Sequence, residues 1–539
     1  VRTLLPAAVT ATLAATIVAA YLVGWAGAAI APWPAVAAGV VVALVLALRM
    51  ATGRQEPLPL TWPWAAVFVG AIVLLALPAW PALLPRGGAS DLTHHLMLVD
   101  VIERTRHLVD GTASEAALGE MAHYTPGLHL LIVIAGALAG VDAFRTAYPL
   151  LALTIALKAG FVYLIAHDGL EGSRARVPLA LAAVALVLFA PRAYSLDGFL
   201  QAGFYPQVAS ELFVVAAWWA LARWWRAPAP GWMAFAGLMG AAVFLVWPIW
   251  IGPLMLAAAA AVLTARDAGW PARVRAGALG VVPCTVVAAL HLSQHAAWLR
   301  IAGASGAVPA FVPGMTGWLL IALAVVGAAR AWARPSVRVT LWFAGAVVLQ
   351  AFALWLLARA RGAATPYMAM KMIYLGVHPA AVLGAIGLGA IVQRIRAGAT
   401  GAAWAAALVI CAVGVRTAVS SPAPPPIVDV DLDAMGRWAR AALPPACVDY
   451  LVDNAEQAYW LHLAVMGQPR SSPRTADIDG YTANRAVGRW IDGSALPYAI
   501  ARRDLLPGEV VRDAEVVRSA GAAVVIRRPG VACPLPIAH

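Results

Sequence analysis

The chain has 539 residues, of which 62% are hydrophobic and 12% charged, with a formal net charge of +12. That balance excludes a soluble enzyme or binding module, because even large soluble domains keep much of their surface polar, and it places the chain in a bilayer. The positive charge would suit a nucleic-acid partner in a soluble protein. Here the arginines fall mostly in short connections between apolar runs, where they read as topology signals and contacts to membrane lipid, so no nucleic acid is expected.

Apolar runs of roughly 16 to 25 residues recur through residue 419, each near the ~20 needed to cross the hydrocarbon as a helix. Leu4 to Tyr21, Ala65 to Leu84, Val177 to Ala190, Val339 to Leu357 and Ala402 to Val415 are among the clearest. The first follows Arg2 and runs straight into further apolar sequence, so it reads as a retained anchor and not a cleaved signal. Arg49/Arg54, Arg174/Arg176, Arg223/Arg226, Arg266/Arg273/Arg275, Arg330/Arg334/Arg338 and Arg394/Arg396 then mark the cytoplasmic connections. With the N-terminus inside, the loop 85–124 and the C-terminal tail face outward. Thr125 to Gly140 breaks the parity: counted as a span, it inverts every later loop, whereas a re-entrant segment covered by protein restores it. The count is then about 13 full spans.

The outward loop carries Asp91-Leu92-Thr93-His94-His95 at the head of a helix-like stretch running through Leu96, Val99, Ile102 and Glu103, which puts Asp91, His94 and His95 on one face. Three readings fit: a helix cap with solvated histidines, a metal site completed by a residue such as His123, or a catalytic carboxylate. Tyr124-Thr125-Pro126-Gly127-Leu128-His129 opens the next apolar segment, Gly140-Val141-Asp142-Ala143-Phe144-Arg145 precedes the one after it, and Gly203-Phe204-Tyr205-Pro206-Gln207 enters a later span. Singly these are ordinary helix-start sequences.

The chain has two lysines, Lys158 and Lys371. Lys158 lies inside an apolar span, where an ionisable group is costly and faces protein or a cavity; Glu211 is a candidate partner. His291 and His378 read as helix-end hydrogen-bonding residues. Trp247-Pro248-Ile249-Trp250 separates two short spans at the outer interface. Arg359, Arg361, Tyr367, Lys371 and Tyr374 form a basic cluster on the outward side, with Lys371 four residues from Tyr367 and three from Tyr374, so these three line one helix face. Such a cluster binds a phosphate or snorkels to headgroups.

Ser420 to Pro426 is a proline-rich linker, dividing a membrane module at 1–419 from a small α/β domain at 427–539. In that domain Leu432 to Leu443 reads as an amphipathic helix, Val448 to Val452 as a strand, Glu456 to Met466 as a helix and Ala522 to Ile526 as a buried strand. Cys284 and Cys411 are small apolar residues of membrane helices. Cys447 and Cys533 lie in the tail, where an extracytoplasmic setting permits a disulfide. The fold class expected is thus a polytopic α-helical membrane protein with a C-terminal extracytoplasmic α/β domain.

Taken in order, the motifs resemble those of the GT-C glycosyltransferases, membrane enzymes that transfer a sugar from a polyprenyl-phosphate donor on the outer face. Asp91 falls at that superfamily's acidic position in the first outer loop, Tyr124 to His129 at its proline motif, and Gly140 to Arg145 near its Gly-to-Arg turn. The common Asp-Glu pair is absent, since Leu92 follows Asp91. The resemblance implies an inverting hexosyl- or pentosyltransferase of the cytoplasmic membrane, moving a sugar to a glycan, lipid or protein acceptor. In it Asp91 is the general base, and Lys371 with Arg359 or Arg361, beside Tyr367 and Tyr374, holds the donor phosphate. His94, His95, Tyr124, His129 and Tyr205 support substrate binding. No cofactor and no obligatory metal are expected. The competing readings are a transporter or flippase of a lipid-linked saccharide, and a noncatalytic membrane scaffold.

Overall fold

The computed structural model describes residues 4–51, 62–86, 90–110, 118–190, 196–265, 268–303, 305–306, 314–332, 334, 337–394, 398–420, 426, 429–444, 447–453, 455–466, 481–493, 495–506, 508, 510 and 514–533. In chain order its helices are α1 (Leu5–Trp25), α2 (Pro32–Ala51), α3 (Trp62–Ala76), α4 (Ser90–Thr105), α5 (Gly127–Ala139), α6 (Ala143–Gly169), α7 (Arg176–Phe189), α8 (Tyr205–Arg226), α9 (Pro230–Val246), α10 (Ile251–Thr264), α11 (Trp270–His295), α12 (Gly314–Ala331), α13 (Arg338–Ala360), α14 (Tyr367–Val392) and α15 (Ala399–Ser420).

Eight of these are long and apolar enough to cross a membrane: α1, α2, α3 with the turn that follows it, α6, α11, α13, α14 and α15. The shorter α5, α7, α9, α10 and α12 are apolar too, and the 22-residue α8 is buried over nearly its whole length. The chain is a polytopic α-helical membrane protein. Prolines sit in the first turn of α1, α8, α9 and α11, where the missing N–H costs nothing. The 3₁₀ turn Pro248–Trp250 separates α9 from α10. The apolar run Ala65 to Leu84 is not one helix: α3 stops at Ala76 and a 3₁₀ turn spans Leu77–Ala79.

Pairs of polar side chains mark the two ends of the bundle. At one end Asp168, near the close of α6, accepts from Arg223 of α8 at 3.4 Å. At the other end Tyr21 of α1 meets His291 of α11 at 3.4 Å, and α4 packs against α5 and α6. Both ends of α5 are held by this same α4. His129, in its first turn, is 3.3 Å from His95, while the amide of Ala143, just past its end, donates to Glu103 at 2.9 Å. His95 and Glu103 lie eight residues apart on α4, about 12 Å, so α5 runs beside α4 without reaching the Asp168 end. Gly140, at φ +67°, supplies the left-handed cap that ends α5 and turns the chain into α6.

The C-terminal region comprises α16 (Val430–Ala442), β1 (Val448–Leu451), α17 (Ala455–Met466), α18 (Ala483–Asp492), β2 (Tyr498–Arg502), β3 (Glu515–Ala520) and β4 (Ala523–Arg527). The strands form one sheet in the order β1-β2-β4-β3, with β1 and β2 parallel and the other pairs antiparallel. Tyr450, Ile500 and Val525 of the sheet, with Leu461 of α17 and Trp490 of α18, belong to a hydrophobic core separate from that of the membrane helices. Asp429 caps α16 by accepting from the amides of Asp431 and Leu432. Cys447 and Cys533 are joined as a disulfide.

This domain sits on α4 and the start of α6. Tyr459 of α17 meets the His94 ring edge-on at 5.6 Å, Arg440 of α16 is 3.8 Å from Asp100, and Arg437 is 3.4 Å from Asp142. An isolated bridge pairs Arg86 with Pro426.

Candidate functional site

The site lies where α4, the start of α5, the loop before α8, the α9–α10 turn and the first turns of α14 meet. Gly203 brings the first and third of these together. It has φ +65°, and a Cβ there would lie 2.6 Å from the Leu92 Cβ, so only glycine lets the loop press against α4. Asp91 is therefore next to the residue that backs onto Gly203, and Phe204 follows directly.

Phe204 is one wall of a cage around Lys371. The Lys371 ammonium lies 4.1 Å from the Phe204 ring centroid, 4.5 Å from that of Tyr367 and 4.9 Å from that of Trp247, with the residue only 3% exposed. A cation set against three aromatic faces is held there electrostatically. Tyr374, one turn on, packs its ring 6.0 Å from Phe204. Tyr367 is seated by Gly306, where a Cβ would lie 2.8 Å from its ring, and Gly306 is clamped by both its N–H and C=O to the Thr365 hydroxyl.

Tyr124 links the cage to the histidines. Its ring is 6.0 Å from Trp247, 5.1 Å from His95 and 5.8 Å from His129. Burial lowers the His95 pKa well below the ordinary histidine value, and the nearby charges of His129, His94 and Lys371 push in the same direction. His95 is thus a neutral imidazole, able to donate from one nitrogen and accept at the other. Asp91 is half-buried in the first turn of α4 and, among the described residues, takes part in no hydrogen bond or ion pair.

The structure thus brings Asp91, His95, Tyr124, His129, Tyr367, Lys371 and Tyr374 to one region, and His94 to its edge under Tyr459. Three residues of the expected set lie apart. Arg359 is exposed, with its guanidinium 5.6 Å over Trp355, and Arg361 is exposed along Gly303. Tyr205, the first residue of α8, is buried against Phe199, 5.4 Å away. Phe204 and Trp247, which reasoning from sequence passed over as site residues, do the caging.

His123 packs edge-on against His295, 5.9 Å between centroids, and among the described residues no group of three His, Cys, Asp or Glu side chains converges to hold a metal. His378 is not at a helix end: it lies inside α14, 3.7 Å from Glu211, which also accepts from Lys158. This pair is the one the sequence suggested, and it is buried between α6 and α8.

No protein-family model matches the chain, and no curated protein matches it. Among solved structures it is similar to the oligosaccharyltransferase of Archaeoglobus fulgidus, both in complex with Zn and sulfate (14% identity over 82% of this chain and 68% of that one, TM-score 0.47) and in the apo form (14% identity over 83% and 70%, TM-score 0.47). It is also similar to apo ArnT from Cupriavidus metallidurans, with 14% identity over 86% of this chain and 97% of that one and a TM-score of 0.46.

Proposed function

We propose that the protein is a membrane glycosyltransferase that moves a sugar from a polyprenyl-phosphate donor to a glycan, lipid or protein acceptor. The end of the bundle under the C-terminal domain is read as the extracytoplasmic face of the cytoplasmic membrane, in keeping with the arginine-rich connections at the opposite end. The observation that carries the reading is the buried Lys371 ammonium caged by Phe204, Tyr367 and Trp247, with Phe204 on the loop that Gly203 presses against the α4 turn bearing Asp91. A cation and a carboxylate on two sides of one region are what a displacement at a phosphorylated sugar needs. The motif order that resembles the GT-C enzymes supports the same assignment.

In this mechanism Asp91 takes the proton of the acceptor hydroxyl as its oxygen attacks the anomeric carbon. The bond from that carbon to the phosphate oxygen breaks, and polyprenyl phosphate leaves with the bonding electrons. Lys371 stabilises the charge that builds on it. Direct displacement inverts the anomeric centre. His95, His129 and Tyr124 orient donor or acceptor hydroxyls, and the C-terminal domain bounds the acceptor side.

The test is transfer from a panel of polyprenyl-phosphate sugars in membranes containing the wild type, Asp91→Asn or Lys371→Ala. Asp91→Asn is expected to lose roughly 10²- to 10⁴-fold in turnover, the span of general-base catalysis, while keeping donor affinity; Lys371→Ala is expected to weaken both. No transfer by the wild type, or full transfer by Asp91→Asn, would turn the reading toward transport of a lipid-linked saccharide or scaffolding.

A further inference from the structure

A second cavity lies at the opposite end of α4 from Asp91. It has a volume of about 450 Å³ and is lined by Glu103, Arg106, Gly140, Asp142 and Arg145 with parts of α5. Its two acids are engaged elsewhere: Glu103 accepts the Ala143 amide, and Asp142 pairs with Arg437 of the C-terminal domain. Its two cations are not matched in this way. The Arg106 Nη1 is buried and has no hydrogen-bond partner among the described residues, and Arg145 lies over its neighbour Phe144, 5.9 Å from the ring centroid.

The backbone adds an independent observation. Arg106 follows the last residue of α4 with φ +58°, the helix-ending position at which glycine is the ordinary choice and a longer side chain is strained. Its amide donates to the Ile102 carbonyl and its own carbonyl accepts from the Ile30 amide at 2.7 Å, so the conformation is fixed from both sides. An arginine kept in that conformation, with a guanidinium nitrogen buried at a cavity, points to a use for the charge.

We propose that this cavity binds the anionic group, a carboxylate or phosphate, of a saccharide ligand, gripped between the guanidiniums of Arg106 and Arg145. Both can present paired N–H donors to such a group. The cavity is about 20 Å along α4 from Asp91, the reach of a short oligosaccharide, so the bound saccharide is the acceptor if the transfer reading holds. That last step rests on the proposed function; the anion site does not.

The experiment is equilibrium dialysis of radiolabelled inorganic phosphate and D-glucuronate against the full chain in phosphatidylcholine nanodiscs, with D-glucose as the neutral control. The wild type is expected to bind both anions saturably and to ignore glucose. Arg106→Gly and Arg145→Gln are each expected to weaken binding about tenfold or more. Arg106→Gly removes the guanidinium but relaxes the backbone, so it should unfold at no lower temperature than the wild type, which separates lost binding from lost fold. Equal binding by the variants, or none by the wild type, overturns the proposal. So does loss of wild-type binding when phosphatidylglycerol is added, which would make a lipid headgroup the occupant. Asp91→Asn should leave anion binding intact, and anion binding without any sugar transfer would sink the transfer reading while leaving this site standing.

Discussion

The Lys371 ammonium rests 4.1 Å from the centroid of the Phe204 ring, and these two residues lie more than 160 positions apart in the chain. The contact gives the positive charge a defined place although it is buried. Phe204→Ala is expected to leave the ammonium present but loosely placed, costing about 1–2 kcal/mol at a desolvated cation–π contact. Donor affinity in a binding titration should fall about tenfold or somewhat more, and Phe204→Tyr should restore most of it.

Lys158 and Glu211 form an ion pair in which the two side chains are 2% and 1% exposed. Removing one partner strands the other's charge in an apolar setting, which costs about 3–5 kcal/mol in buried pairs. Lys158→Met and Glu211→Leu should therefore each lower the thermal unfolding temperature in detergent markedly. The double variant, with no charge left over, should be more stable than either single one; equal or additive losses would show that the pair is not coupled.

His95 gives a pH dependence whose sign follows from its burial. Its pKa in the folded chain is lowered well below the ordinary value, while in the unfolded chain it returns to about 6.5. Below that value the unfolded state binds a proton that the folded state refuses. The contribution is complete above about pH 6.5 and is lost as pH falls toward the folded pKa, by at most about 1.4 kcal/mol per unit. His95→Asn should flatten the fall in unfolding temperature between pH 7 and pH 5.

The path of α5 is open to a labelling test. Val141, 42% exposed just past that helix, is on the same end of the bundle as the C-terminal domain, whereas Ser173 follows α6 at the Asp168 end. In a background lacking Cys284 and Cys411, a membrane-impermeant maleimide should modify Val141→Cys from the side that exposes the domain and Ser173→Cys from the other. Both labelled from one side would mean that α5 crosses after all.

Most of this architecture was legible in the sequence because the bilayer imposes a strong rule: every spanning helix needs a long apolar run. The parity of arginine-rich loops was enough to make Thr125 to Gly140 suspect. What the sequence could not show is how α4 grips both ends of that segment, since a 3.3 Å contact between His95 and His129 has no local signature. The site was legible in part. Asp91 and Lys371 stood out because charge is rare in such a chain. Phe204 and Trp247 did not, because aromatic residues at helix starts are common at membrane interfaces, and Tyr205 entered with the Gly203-to-Gln207 stretch although its neighbour makes the contact. Arg359 and Arg361 counted as cluster members by their place on the outward side, and both are exposed at the end of α13. In the C-terminal domain α16, β1, α17 and β4 follow the expected runs, while β3, with Glu515, Val516, Val517, Arg518 and Ser519 all exposed, lacks the alternation that would mark it.

Cys447 stands just before β1 and Cys533 after β4, 86 positions later. All four strands of the sheet lie between them, so their bond turns that stretch of chain into a closed ring. A protease that cuts the ring once releases nothing. The two pieces stay one molecule until a reductant opens the second connection, and a nicked protein would run at full length on a gel without reductant and as two fragments with it.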